Sequence, residues 1–166
     1  MLKLAMTPDP ARPIKVTKAM PTVPGLDRSE IDRFLTSKKI PLSLAAVDEG
    51  GEPVIYPVWF LYEGGSLFFF TNNDTRKVQN LGRRKRVYFS VDTEADPLMG
   101  VKGKARANVV ADKTVSQDIF KKIITKYMGD AENSYAKSML EKIKDGTTIV
   151  VELSPLFYST WDYGKT

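Results

Sequence analysis

The sequence predicts a mainly β, α+β fold: six to seven antiparallel strands closing into a small barrel, with helices on the outside. Three observations carry this. Short apolar and aromatic runs recur between turn-forming clusters. The early runs are joined by connections too short for a parallel crossover. The four helical stretches do not alternate with strands as parallel βαβ winding requires.

The elements follow in order. Residues 1–26 hold Pro8, Pro10, Pro13, Pro21 and Pro24 without regular periodicity, and read as an extended arm ahead of one domain over 27–166. A helix is predicted over 27–38, with Asp27 and Glu30 spaced as a capping box and Ile31, Phe34 and Leu35 on one face. Strands follow at 40–47 and 53–62. The second ends at Gly64-Gly65, a hairpin signal, and is answered by a strand at 66–71. Strand 53–62 is apolar on both faces: Val54, Tyr56, Val58 and Phe60 on one, Ile55, Pro57, Trp59 and Leu61 on the other. One face can fill the barrel. The other needs a helix, a ligand or a second subunit to cover it. A helix at 75–84, strands at 86–92 and 100–111, and helices at 114–128 and 131–145 come next. On the last two, Val115, Ile119, Ile123 and Tyr127, then Tyr135, Met139 and Ile143, form the apolar faces. Two strands, 147–153 and 156–163, separated by Pro155, finish the chain.

Composition restricts the chemistry. The 166 residues suffice for one domain with a sizeable core. There is no cysteine and no histidine. Disulfides, thiolate and Ser-His-Asp chemistry, the usual zinc sites and histidine-ligated haem are therefore excluded. An enzyme with this composition would take its reactivity from an organic cofactor. No apolar run reaches membrane-spanning length and no signal peptide is recognisable, so the expectation is a cytoplasmic protein with no membrane partner.

The net charge of +5 is local. Segment 76–86, RKVQNLGRRKR, holds six basic residues and no acid, against 19 basic and 20 acidic residues elsewhere. Arg76 and Lys77 open a helix, where the dipole is already positive. Thr75 or Asp74 can cap that helix. Free amides, a guanidinium, an ammonium and the hydroxyls of Thr71 and Thr75 together describe a phosphate site. The alternative is that Arg76 and Lys77 are simply solvated, or pair with acids such as Glu94 or Asp96. The cations at 82–86 suit a helix C-terminus, so nucleic acid is not the expected partner, and a nucleic-acid-binding barrel stands only as the minority alternative.

The stretch FFFTNNDTRKVQNL (68–81) resembles the flavin-phosphate motif of the pyridoxamine 5'-phosphate oxidase-like, FMN-binding split-barrel superfamily. Phe70, Thr71, Asn72, Thr75, Arg76 and Lys77 match that motif at its spacing. The resemblance runs over about 27–163, through GGEPVIYPVWFLYEGGSLFFFT, NLGRRKRVYFSVD, GVKGKARA and the closing WDYGK. It implies a split barrel, usually a homodimer with the flavin between subunits. It further implies that Arg76 and Lys77 bind the FMN phosphate, with Thr71 and Thr75 donating hydrogen bonds. Tyr56, Pro57, Val58 and Trp59 would lie along the ring and ribityl chain. The implied activity is oxidoreduction of a small-molecule substrate, with a deazaflavin coenzyme, or flavin binding without catalysis, as the alternatives. The Arg- and His-containing C-terminal substrate motif of the oxidase that makes pyridoxal phosphate is absent, since the chain ends STWDYGKT.

Overall fold

The computed structural model describes residues 13–166. Its elements are β1 (Lys15–Lys18), α1 (Arg28–Ser37), β2 (Leu42–Val47), β3 (Pro53–Val58), β4 (Leu61–Glu63), β5 (Ser66–Asn72) and α2 (Arg76–Arg83). Then come β6 (Arg86–Asp92), β7 (Met99–Val109), α3 (Lys113–Met128), α4 (Ser134–Asp145) and β8 (Thr148–Asp162). The strands form one sheet in the order β3-β2-β6-β7-β8-β5-β4, antiparallel throughout, with β1 added in parallel alongside β8.

β3 and β4 are the two edges of this path, yet only Trp59 and Phe60 separate them in sequence. Laid flat, seven strands at about 4.8 Å spacing would put the edges some 29 Å apart. Two linking residues cannot bridge that distance. The sheet must curl until its edges meet at the Trp59–Phe60 corner, which makes the predicted barrel. Leu42, Leu44, Phe60, Leu67, Phe69, Phe89, Val101 and Leu153 fill its interior. α1 closes one end with Ile31, Phe34 and Leu35, its N-terminus fixed by the Asp27–Glu30 capping box.

α3 and α4 lie on the outside of β5 and β8. Phe120, Ile124, Ala136, Met139 and Ile143 pack there with Phe70, and Ile119 and Ile123 with Val150. The buried stripe of α3 runs through Ser116, Ile119, Phe120, Ile123 and Ile124, so Val115 is exposed; on α4 Ala136 is buried and Tyr135 is exposed.

Among the described residues the strand count is eight, for three reasons. Residues 15–18 of the N-terminal arm form β1, whose register pairs Lys15 with Phe157 and Lys18 with Thr160. Pro8 and Pro10 lie outside the described residues. Segment 53–62 is not one strand: it breaks at Trp59–Phe60, where the chain passes from one sheet edge to the other. Segment 147–163 is not two strands. β8 runs through Pro155 because its register with β7 shifts between Lys104 and Ala105, a bulge that removes the need for a ladder hydrogen bond from proline. Gly103 is required next to this bulge, since a Cβ there would lie 2.2 Å from the Phe157 carbonyl oxygen.

Candidate functional site

The strand–turn–helix from β5 to α2 forms the first half of the site. Along β5, Leu67, Phe69 and Thr71 are buried on the barrel side, while Phe68 and Phe70 face the α3–α4 layer. The turn is firmly tied. The Asn72 carbonyl accepts from Thr75 Oγ1 (3.0 Å), Asn72 Oδ1 accepts from Thr148 Oγ1 (3.2 Å), and Asn73 N donates to the Thr147 carbonyl (2.8 Å). Thr75 is the N-cap and accepts from Val78 N at 3.4 Å. The amides of Arg76 and Lys77 therefore open the helix without intrahelical partners.

Neither Arg76 nor Lys77 forms an ion pair among the described residues. Pairing with Glu94 or Asp96 does not occur. Arg76 is exposed. The Lys77 side chain is half-buried, its Nζ 5.2 Å from the Tyr56 ring centroid and 5.8 Å from that of Phe69. Burial lowers its pKa below the usual lysine range. One turn on, Asn80 is buried and its Nδ2 donates to Tyr56 Oη at 3.1 Å. Lys77, Asn80, Tyr56 and Phe69 thus meet where α2 packs against the barrel.

The Trp59–Phe60 corner forms the second half. Val58 and Phe60 point into the core. Trp59 stacks on Tyr127 of α3, rings 4.9 Å apart and inclined by 2°. Tyr127 Oη donates to the Ile40 carbonyl (3.0 Å) and accepts from Phe60 N (3.3 Å). Burial pushes its phenol up to about 12. Lys126 Nζ sits 3.8 Å over the Phe60 ring centroid and donates to the Phe60 carbonyl at 3.2 Å. Burial pulls this lysine down to about 8. On the outer face beside the corner, Ile55 is 70% exposed and Tyr88 50% exposed, both opposite Ala45 of β2. No helix among the described residues covers this row.

The structure therefore joins Tyr56 to Lys77, sets Thr75 and Arg76 at the helix entrance, and holds Thr71 and Asn72 at the end of the preceding strand. It sends Val58 into the core and Pro57 and Trp59 to the outer face. Phe70 is directed away from this group, its ring edge-on to Phe120 at 4.9 Å in the α3–α4 layer. Sequence reasoning missed Asn80, Lys126 and Tyr127. Asn80 was detectable as the polar residue one turn beyond Lys77, and Lys126 as the charge adjoining the apolar stripe of α3. An open groove of about 400 Å³, lined by Val78, Leu81, Lys85, Ala107, Val109 and Val151, flanks α2 on the side away from Arg76.

Among the described residues the site thus presents amides, two cations without acids and flat aromatic surface, with no nucleophile–base pair. The donor set fits a phosphate attached to a planar group. The curled antiparallel barrel with helices outside defines the split-barrel class. The chain belongs to the pyridoxamine 5'-phosphate oxidase family, whose sequence profile matches residues 28–159. No curated protein matches the chain. Among solved structures it is similar to the conserved hypothetical protein Rv2991 from Mycobacterium tuberculosis, at 22% identity over 90% of this chain and 92% of that one, TM-score 0.75. It is also similar to an F420 reductase (20% identity, 76% and 94% covered, TM-score 0.60) and to an FAD-binding protein from Mesorhizobium loti (18% identity, 85% and 98% covered, TM-score 0.59). At these identities the likenesses establish the fold. No helix of the described residues is long and apolar enough to cross a membrane.

Proposed function

We propose that this chain is an FMN-dependent oxidoreductase acting on a small-molecule substrate, a homodimer with flavin between the subunits. The observation that carries the proposal is the pair Arg76 and Lys77: cations at a helix N-terminus, without acid partners, beside amides that have none either. A phosphate meets every one of these requirements. Bound there, the flavin would supply hydride or electron transfer, which a chain without histidine or cysteine does not readily supply itself. The residues' own work is then to fix the phosphate and to order Tyr56 through Asn80. The uncovered row of Ile55, Pro57 and Tyr88 supports a second copy as its cover.

A deazaflavin coenzyme is the second reading, favoured by the likeness to an F420 reductase. The test is to denature the purified protein, weigh any released ligand, and titrate the emptied protein with FMN and with the deazaflavin coenzyme. FMN release or tighter FMN binding is expected. Preference for the deazaflavin overturns the cofactor assignment, and binding of neither overturns the site. Bound FMN that no reductant can reduce would mark a flavin carrier rather than an enzyme. Light scattering tests the dimer: Ile55→Lys with Tyr88→Lys should halve the mass, and an unchanged mass would refute that interface.

A further inference from the structure

We propose that the corner between β3 and β4 is a second binding site, for a flat organic anion such as an aryl carboxylate, with the Lys126 ammonium as its charge partner and the Trp59–Tyr127 stack as its shelf. Three observations converge here. First, the shelf is rigid: both hydrogen-bonding functions of Tyr127 Oη are used, toward Ile40 and Phe60, and its ring lies parallel to Trp59. Trp59 keeps 37% of its surface exposed despite that stacking, so it still offers flat area to a ligand. Second, Lys126 is a half-buried cation that forms no ion pair among the described residues. Among the described residues its Nζ makes one hydrogen bond, to the Phe60 carbonyl. Third, Glu63 of β4 and Asp118 of α3 are taken by another cation. Lys122, one turn earlier on α3, pairs with both Glu63 of β4 (2.7 Å) and Asp118 (2.9 Å).

The Phe60 ring beneath Lys126 offsets part of the cost of burying charge. It does not account for the charge itself, because an uncharged side chain of the same length would cover Phe60 without that cost. An anion supplied from solution completes the arrangement. Lys126 adjoins Phe60 and Lys77 adjoins Tyr56, four residues back, so the Cα atoms of the two aromatic residues these lysines cover lie no more than about 14 Å apart. That the anion is the substrate rests on the flavin reading, with the phosphate at the Lys77 end and the substrate at the Lys126 end. That the anion binds at all does not.

The test uses the full chain, with and without FMN, titrated with 2-naphthoate and its neutral counterpart 2-naphthamide, read by tryptophan fluorescence and calorimetry. At pH 7 the carboxylate should bind about ten- to a hundredfold more tightly than the amide. Its advantage should fall about tenfold per pH unit above pH 8, as Lys126 loses its proton. The groups around Lys126 do not confuse that limb. Burial pushes the Tyr127 phenol up to about 12, and hydrogen bonds to Glu63 and Asp118 raise Lys122 above the usual lysine range. Lys126→Met should erase the preference without changing amide affinity, and Lys126→Arg should keep the preference and remove the pH limb. Equal binding of the two probes, binding of neither, or a preference that survives in Lys126→Met overturns the site. A preference seen without FMN, in a protein that binds no FMN, retains the site and removes only its substrate role.

Discussion

The two ends of α2 carry the same kind of residue and treat it in opposite ways. At the C-terminal end Arg83 pairs with Glu49 at 3.3 Å, and Arg84 Nη1 donates to the Asp48 carbonyl at 2.5 Å. Both cations suit the dipole and fasten the helix to the β2–β3 loop. At the N-terminal end Arg76 and Lys77 oppose the dipole and find no acid among the described residues. Identical charges are thus structural at one end and unfulfilled at the other, and only the unfulfilled pair points to a ligand. The largest expected effect follows directly. Arg76→Ala should weaken FMN binding about ten- to a hundredfold, from the loss of charge-assisted hydrogen bonds worth ~1.5–3 kcal/mol. Arg83→Ala should change it less than about twofold, since its partner is an exposed acid. Equal losses in a flavin-fluorescence titration would abolish the distinction between the two ends.

Lys77 sharpens the comparison through pH. Its burial lowers the folded-state pKa, so between that value and the ordinary lysine pKa the unfolded chain binds more protons. Stability therefore rises with pH across this window as the buried charge is relieved. Lys77→Met should stabilise the ligand-free protein near neutrality, lose that advantage as pH climbs through the window, and bind FMN more weakly at every pH. Urea melts at two pH values check it. A gain that grows with pH would contradict the desolvated cation. Thr75→Ala comes next: losing the N-cap should cost about 1 kcal/mol of stability, with weaker FMN binding as well. A stability loss with unchanged FMN affinity would separate the cap from the ligand site.

The helix entrance was legible in the sequence because everything it needs is local. Turn formers, the cap and two cations lie within six consecutive residues, Asn72 to Lys77. The Asp27–Glu30 capping box and the Gly64-Gly65 hairpin were legible for the same reason, the two glycines adopting φ of 59° and 81°. What escaped depends on closure of the sheet. Nothing within residues 53–62 signals that the chain changes sheet edge at Trp59–Phe60; only the meeting of β3 and β4 across the barrel requires it. The same non-local geometry brings Tyr127 and Lys126 to that corner and turns Phe70 away from the site. β1 was missed because a four-residue strand pairing in parallel with the far end of the chain leaves no periodic pattern. Pro155 misled because proline normally ends a central strand, and the bulge that accommodates it belongs to the β7–β8 register.

The smallest effect discriminates most by its sign. Arg76→Glu replaces an unfavourable N-terminal charge by a favourable one. It should stabilise the ligand-free protein by ~0.3–1 kcal/mol while abolishing FMN binding. Arg83→Glu places the wrong charge at the other end beside Glu49, and should destabilise by a similar ~0.3–1 kcal/mol while leaving FMN affinity nearly intact. Thermal melts at low and high salt measure both, and salt should shrink both. If Arg76→Glu instead destabilises the ligand-free protein, Arg76 is held by contacts within the fold, and the case for a phosphate at this helix would rest on Lys77 alone.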